Sequence, residues 1–182
     1  ESPEQIRICD PCCGSGNMLL YAYELLDRIY RECGYGSEAI PGLIIEHNLR
    51  GMDIDRRAAE LAVFILEMKA GEGAPPPKIT VPDACCGVGS LMDTGERFEV
   101  VVTNPPFMGR RKMDPALKKH ILERYPDSHA DLFAVFIERC LEMLVSGGIT
   151  GMVTMQNWMF LKSFAGLRDK LLREDTVLSM LH

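Results

Sequence analysis

One short segment near the start of the chain combines a carboxylate with a glycine turn. Asp10 precedes Gly14 and Gly16, and Pro11 and Cys13 lie between Asp10 and Gly14. Glycine lets a ligand approach the main chain closely, and a carboxylate attracts a cationic group. A lone Gly-x-Gly is also typical of a tight turn. The acid before the glycines makes a binding loop the stronger prediction.

A second copy of this pattern begins at Asp83, with the cysteine pair Cys85-Cys86 and a Gly-x-Gly behind it. Only eight residues separate Gly89 from an apolar run at Phe98. A crossover between parallel strands takes about a dozen residues or more. The copy is therefore predicted to be a local resemblance and not a duplicated half-fold. Asp83 itself is predicted to follow a strand and to line the ligand pocket.

The occupant of the first loop is predicted by elimination. A dinucleotide loop would have a small residue in place of Leu19, and a phosphate loop would continue with Gly-Lys-Ser/Thr. S-adenosylmethionine remains, a nucleoside that carries a zwitterionic amino acid. Asp10 is predicted to bind its ammonium group. Asp53, at the end of a second apolar run, is predicted to bind the ribose hydroxyls.

A second chemical motif, Asn104-Pro105-Pro106-Phe107, follows the apolar run from Phe98 to Thr103. The prolines fix the backbone and remove two N–H donors. The Asn104 amide oxygen and the Pro105 carbonyl could accept hydrogen bonds from both N–H groups of a planar amine. Phe107 could stack on the flat substrate that carries this amine. Methylation of such an amine by positioning and electrostatics is the predicted chemistry. The alternative interpretation is a strand that stops at a Pro-Pro turn.

Short apolar runs alternate with helical patterns along the chain. This alternation predicts an α/β fold with a mostly parallel sheet that carries these motifs. Strands are predicted at 5–9, 49–54, 78–81, 98–103, 148–154 and 176–181. Helices are predicted at 16–31, 41–48, 56–69, 114–124, 128–145 and 157–173, with Asp55 as the cap of the third.

Length and composition predict one domain over residues 1–182, with 47% hydrophobic and 25% charged residues. The chain does not begin with Met, and its last predicted strand meets the end of the sequence. We therefore expect a fragment of a longer protein, truncated at its C-terminal end and without a target-recognition domain. Apolar runs are too short to span a membrane. A chain without a secretory signal that has seven cysteines is predicted to be cytoplasmic, with reduced thiols.

Charge and cysteine spacing limit the classes of site. A net charge of −6 argues against a free-standing nucleic-acid binder. Cys12, Cys13, Cys85 and Cys86 could approach one another, but adjacent cysteines chelate zinc poorly compared with Cys-x-x-Cys, so no metal is predicted.

A basic run and three aromatic residues have two interpretations each. Arg110, Arg111 and Lys112 follow the predicted rim and are either solvated surface or contacts for DNA phosphates. Phe164 is either a core residue or the second wall of a base pocket, with Trp158 and Phe160 as rivals for that wall.

Together these motifs resemble those of the N6-adenine DNA methyltransferases. The motifs are Asp-Pro-Cys-Cys-Gly-Ser-Gly, Gly-Met-Asp-Ile-Asp, Asn-Pro-Pro-Phe and the strand after Gly147-Gly148. The stretches 51–62, 125–140 and 155–161 are most similar to the PglX-type methyltransferases of BREX phage-defence systems. The resemblance implies a Rossmann-like core, S-adenosylmethionine as donor and a flipped adenine in duplex DNA as acceptor.

The resemblance also implies roles for single residues and for partners. It implies that the cofactor is bound by Asp10, Gly14, Gly16, Asp53 and Asp83. It also implies that residues 104–107 bind the target base, although Phe is less usual than Tyr at the fourth position of this motif. Specificity or defence-system subunits are implied as partners, in a restriction-modification or phage-defence context.

Two alternatives stay open: a methyltransferase for a protein glutamine amide or an RNA amine, and a cofactor-binding scaffold without turnover. We expect residues 1–182 to bind S-adenosylmethionine but to bind duplex DNA only weakly.

Overall fold

A parallel sheet of five strands forms the centre of the molecule in a computed structural model that describes residues 2–82, 89–91 and 95–181. The strands lie in the order β3-β2-β1-β4-β5, and every pair is parallel. Their bounds are β1 Ile8–Asp10, β2 Leu49–Met52, β3 Ile79–Thr80, β4 Phe98–Thr103 and β5 Leu144–Met152.

The described residues include six α-helices, five of them between strands and one after the last strand. They are α1 Asn17–Glu32, α2 Ile40–Leu43, α3 Arg56–Ala70, α4 Pro115–Arg124, α5 Leu132–Glu142 and α6 Ala165–Glu174. A π-helical turn continues α2 over Ile44–Asn48. In the described part of the chain, none of the helices is both long enough and apolar enough to cross a bilayer.

Alternate residues of the central strands face two different cores. Ile8 and Val100 pack with the buried faces of α1 and α3 on one side of the sheet. Cys9 and Val101 pack on the other side with Cys140 of α5. This alternation follows from the period of two residues in a strand, and it produces three layers of helix, sheet and helix.

Local sequence accounts for most element boundaries. The Asp55 carboxylate accepts a hydrogen bond from Arg57 N at 2.9 Å and so begins α3, as the capping pattern predicts. Strand β4 matches its predicted bounds, and β1, β2 and β3 are shorter than predicted. The prediction of a Rossmann-like α/β fold is confirmed.

Two predicted helices are shorter than their patterns. Helix α5 begins only at Leu132, after Asp131 caps it, and ends at Glu142, because the chain turns into β5 at Leu144. The stretch predicted as one helix over 157–173 begins with two 3₁₀ turns, Gln156–Met159 and Lys162–Phe164. Only the part from Ala165 onward is α-helical.

The predicted sixth strand is wrong for residues 176–181. A strand is stabilised by a ladder of hydrogen bonds to a neighbouring strand. Residues 175–181 join none of the described strands, and Leu178 and Leu181 are exposed to solvent. Apolar alternation alone does not make a strand, because a strand also needs a partner, and these residues pair with none of the strands that the structure describes.

Candidate active site

The two predicted motifs meet at the middle of the sheet. Strands β1 and β4 are direct neighbours, with Cys9 paired to Val101. The chain order of the strands reverses at this point, and in open parallel sheets ligands bind outside the carboxyl ends of the strands there. The segment after β1 carries Asp10 to Gly16, and the segment after β4 carries Asn104 to Phe107. The fold therefore places the two motifs side by side.

Gly14 and Gly16 give the first loop its shape. Both have positive φ angles, +53° and +85°. Within the described residues, a Cβ on Gly14 would meet nothing within 4 Å, whereas one on Gly16 would lie 3.0 Å from Cβ of Ala62. Gly16 thus allows close packing of the loop on α3, and Gly14 leaves its main chain open to a ligand.

Helix α1 begins at this loop without a side-chain cap. The first N–H groups of a helix have no partner inside the helix, and its start carries a partial positive charge. The loop itself is held in place, since Gly16 N donates to Cys13 O at 2.8 Å and Cys13 N donates to Met52 O at 2.9 Å. Pro11 and Cys13 are buried beneath it.

Asp53 lies directly against the loop. Its Oδ2 accepts a hydrogen bond from Gly14 N at 2.7 Å, and its Oδ1 accepts one from Asp55 N at 2.8 Å. An ionised carboxylate has about four acceptor sites. Two of these remain for the hydroxyl groups of a ligand, so Asp53 can both fix the loop and bind a ribose.

Asp10 is a buried acid, with 2% of its surface exposed. Its pKa is raised to about 6, chiefly because burial disfavours the charged form and to a smaller extent because of the charge of Asp53, while hydrogen bonds from the Thr103 hydroxyl and the Cys12 N–H lower it in part. The Cys12 N–H donates to Asp10 Oδ1 at 3.0 Å. A cationic ligand group beside Asp10 would stabilise its ionised form.

The segment Asn104–Phe107 forms an exposed rim beside this acid. Asn104, Pro106 and Phe107 are exposed and Pro105 is buried. Thr103 O accepts a hydrogen bond from Val153 N at 3.0 Å, which joins the rim to the end of β5. The exposed amide and ring of the rim are available to a planar substrate.

Phe107 rests edge-on against Phe133 of α5, with ring centroids 6.0 Å apart. The ring of Phe133 in turn packs against that of Phe164, with ring centroids 5.9 Å apart. Phe164 is only 2% exposed, which argues against its predicted role as an open wall of the pocket. Its ring supports Phe133 from the core instead. Of its rivals, Phe160 is 71% exposed and Trp158 is half-buried.

The basic run after the rim is exposed on a 3₁₀ turn, Arg110–Lys112. With Lys118 and His129 it lines an open depression of ≈ 880 Å³. The sequence indicated the three residues of the run, but it gave no sign that His129 would join them, because the loop that follows α4 brings it there.

The cysteines that the structure describes do not form a metal-binding cluster. Burial raises the pKa of Cys13 to about 12 and that of Cys12 well above its usual range, so both thiols are protonated at neutral pH. In the parts of the chain that the structure describes, no group of three potential ligands converges. Asp83, Cys85 and Cys86 lie outside the described residues, so the cofactor role predicted for Asp83 stays a prediction.

Sequence reasoning missed Asp131 and Phe133, which lie next to the rim. The pattern of an aspartate before an apolar run predicts the start of a helix. It does not predict that the Asp131 carboxylate accepts a hydrogen bond from Met108 N, 23 residues earlier in the chain, at 3.0 Å.

Two family models match the sequence. The model described as Eco57I restriction-modification methylase matches residues 47–182. The model of the MmeI DNA-methyltransferase domain matches residues 2–74.

Curated relatives include the adenine-specific methyltransferase BrxX of Escherichia coli O9:H4, 27% identical, with 99% of this chain and 24% of that protein covered. The adenine-specific methyltransferase PglX of Lacticaseibacillus casei is also 27% identical, with 92% of this chain and 21% of that protein covered. The chain thus spans about a quarter of the length of these relatives. The resemblance to PglX-type methyltransferases is confirmed.

Solved structures share the fold. A modification subunit of a type I restriction enzyme from Vibrio vulnificus superposes with a TM-score of 0.66 at 20% identity, over 91% of this chain and 34% of that one. The restriction-modification enzyme MmeI, solved in complex with DNA, gives a TM-score of 0.66 at 21% identity, over 94% of this chain and 27% of that one.

Proposed function

Because the chain belongs to the Eco57I restriction-modification methylase family, we propose that its site transfers a methyl group from S-adenosylmethionine to the N6 amine of adenine in DNA. The observation that carries this proposal is the juxtaposition at the centre of the sheet. A glycine loop with a buried acid follows β1, and an exposed Asn-Pro-Pro-Phe rim follows the neighbouring β4.

The residues around the loop fit this cofactor. Asp10 supplies a buried negative charge for its ammonium group, and Gly14 leaves an open approach to the main chain. Asp53 retains acceptor sites for ribose hydroxyls beside its bonds to Gly14 N and Asp55 N. Bound S-adenosylmethionine would supply an electrophilic methyl group.

The rim supplies the acceptor chemistry. An exocyclic amine of a base is a weak nucleophile because its lone pair is delocalised into the ring. The Asn104 amide oxygen and the Pro105 carbonyl each accept a hydrogen bond from one N–H of the amine, which localises the lone pair on nitrogen. Phe107 stacks on the base and fixes its plane, at roughly 1–3 kcal/mol per base. The rate enhancement therefore comes from orientation and from hydrogen bonds that strengthen in the transition state.

Duplex DNA with a flipped adenine is the proposed substrate. The chain carries a net charge of −6, so its summed charge repels phosphate. The depression lined by Arg110, Arg111, Lys112, Lys118 and His129 concentrates positive charge, and it lies directly after the rim. We assign these side chains to backbone phosphates near the extruded base, where they position the duplex without reading its sequence. Specificity or defence subunits are proposed as partners of the intact enzyme.

The experiment that tests the function compares acceptors. The intact enzyme is incubated with S-adenosylmethionine labelled in its methyl group and with plasmid DNA, tRNA or protein. Label in DNA, recovered as N6-methyladenine after digestion, is the expected result. Label only in tRNA would support an RNA amine as substrate, and label only in protein glutamine would support an amide. Cofactor binding without transfer to any of the three would indicate a scaffold.

The role of Asp53 predicts a loss of cofactor affinity. Asp53→Ala removes the ribose acceptor and the bond that holds Gly14 N. A hydrogen bond to a charged group contributes about 1.5–3 kcal/mol. We therefore expect the Kd for S-adenosylmethionine to rise by roughly 10–100-fold, measured by calorimetry. Asp55→Ala is the matched control, because it removes a neighbouring carboxylate that caps α3 without touching Gly14. Equal affinity of wild type and Asp53→Ala would exclude the ribose assignment.

A further inference from the structure

The backbone of the rim has few N–H groups that could hold it in place. Pro105 and Pro106 have no N–H to donate, so two successive residues of the segment cannot be held by main-chain donation. On the N-terminal side, the last backbone hydrogen bond between described residues is the one that Thr103 O accepts from Val153 N at 3.0 Å. The position of Asn104 and Phe107 therefore depends on what holds the chain after them.

That second anchor is the start of α5. Asp131 Oδ1 accepts a hydrogen bond from Met108 N at 3.0 Å. Met108 O accepts one from Leu132 N at 3.0 Å, and Arg110 N donates to Ala130 O at 3.1 Å. Gly109 and Asp131 form an antiparallel bridge. Of these groups, only the Asp131 carboxylate is a side chain that mutation can remove.

The carboxylate also caps α5, but this bond is the weaker one. Its oxygen lies 3.5 Å from Phe133 N and 3.0 Å from Met108 N. N–H···O hydrogen bonds have donor–acceptor distances of about 2.7–3.2 Å. The contact of ordinary length is therefore the one to the rim. A residue that only capped its helix would show the opposite preference.

The platform behind Asp131 is rigid enough to act as an anchor. Residues 132–140 of α5 are all buried. In the loop before the helix, Ser128 Oγ donates to the buried Glu138 at 2.5 Å, and Lys170 Nζ of α6 donates to the same carboxylate at 2.7 Å. The ring of Phe133, two residues after Asp131, supports Phe107. One helix turn thus holds the rim by its backbone and by its aromatic ring.

We propose that Asp131 is a positioning residue for methyl transfer: by fixing Met108 N it sets the place of the Asn104 amide and the Phe107 ring relative to the acceptor base. This inference rests on the proposed function of the rim. It assigns no contact between Asp131 and the substrate, and no proton transfer to it.

The test uses three substitutions of Asp131 in the intact enzyme and one matched control. Asp131→Ala removes the anchor and the cap. Asp131→Ser keeps a preferred capping residue but shortens the side chain by one bond. Asp131→Asn keeps an acceptor oxygen in place. Asp114→Ala is the control, since Asp114 caps α4 through Leu117 N at 2.9 Å and, among the residues that the structure describes, makes no hydrogen bond to the rim.

Displacement of reacting groups by about 1 Å can lower a rate 10²-fold. We expect kcat to fall roughly 10–100-fold in Asp131→Ala and Asp131→Ser, with the KM for S-adenosylmethionine unchanged. Asp131→Asn should keep most of the rate, and Asp114→Ala should match wild type. Asp131→Ser keeps the test decisive if the alanine variant does not fold. Wild-type kcat in a folded alanine or serine variant would overturn the proposal.

A second measurement does not depend on activity. Hydrogen–deuterium exchange of a peptide covering residues 104–112 should be faster in Asp131→Ser than in wild type and unchanged in Asp114→Ala. Unchanged exchange in Asp131→Ser would overturn the anchor. If wild type methylated no adenine but exchange still increased in Asp131→Ser, the proposed function would fail while the anchor remained.

Discussion

Asn104→Ala is expected to lower kcat for adenine methylation by roughly 10²–10³-fold, the range seen when one preorganised hydrogen-bonding group is removed from an active site. The hydrogen bond that the amide oxygen accepts from the amine strengthens as positive charge develops on nitrogen, so its loss raises the barrier more than it weakens binding. Methyl transfer to an adenine-containing duplex measures the effect.

Cofactor binding separates this result from misfolding. The affinity for S-adenosylmethionine should stay near wild type in Asn104→Ala, because the cofactor loop follows β1 and the rim follows β4. Asn157→Ala removes an amide from a 3₁₀ turn outside the rim and is expected to retain full activity. A wild-type rate in Asn104→Ala would mean that the rim is a structural turn and that the proposed mechanism is wrong.

Asp10→Asn is expected to stabilise the ligand-free protein above pH 6 while it weakens cofactor binding. Burial raises the pKa of Asp10 to about 6 from 3.8. Between these values the folded protein holds a proton that the unfolded chain has released, so the free energy of unfolding falls as the pH rises. At 1.36 kcal/mol per unit, ionisation of the buried acid costs up to about 3 kcal/mol.

The neutral amide of the variant avoids this cost. Its stability gain should approach about 3 kcal/mol at pH 8 and vanish below about pH 3, where Asp10 is protonated in both states. Urea unfolding followed by circular dichroism measures the gain, and calorimetry measures the lost affinity. Asp169→Asn, in an exposed pair with Arg173, should change stability by less than about 0.5 kcal/mol. A pH-independent difference between Asp10→Asn and wild type would contradict the assignment.

Much of the site could be predicted because its chemistry is local in sequence. Asp10 to Gly16 and Asn104 to Phe107 are continuous segments, and each follows an apolar strand. Parallel strands end at the same edge, so predicting the strands also predicted that these segments approach one another. Asp55 could likewise be predicted as a cap from its own neighbours.

What could not be predicted depends on partners distant in the chain. The bond from Met108 N to Asp131 joins residues 23 apart, and the burial of Phe164 follows from its contact with Phe133. The apolar alternation at 176–181 suggested a strand, but pairing requires a neighbour that the local pattern does not report. The basic depression gained His129 only through the path of the loop after α4.

The central position of β1 has a consequence for how the protein is made. Strand β1 pairs with β2 on one side and with β4 on the other, and β4 begins at Phe98, 90 residues after Ile8. Ribosomes add about 5–20 residues per second, so the β4 side of β1 waits about 5–20 s for its partner. An unpaired strand edge is a template for wrong association. The nascent chain is therefore most exposed to aggregation, and most in need of chaperone cover, before β4 has emerged.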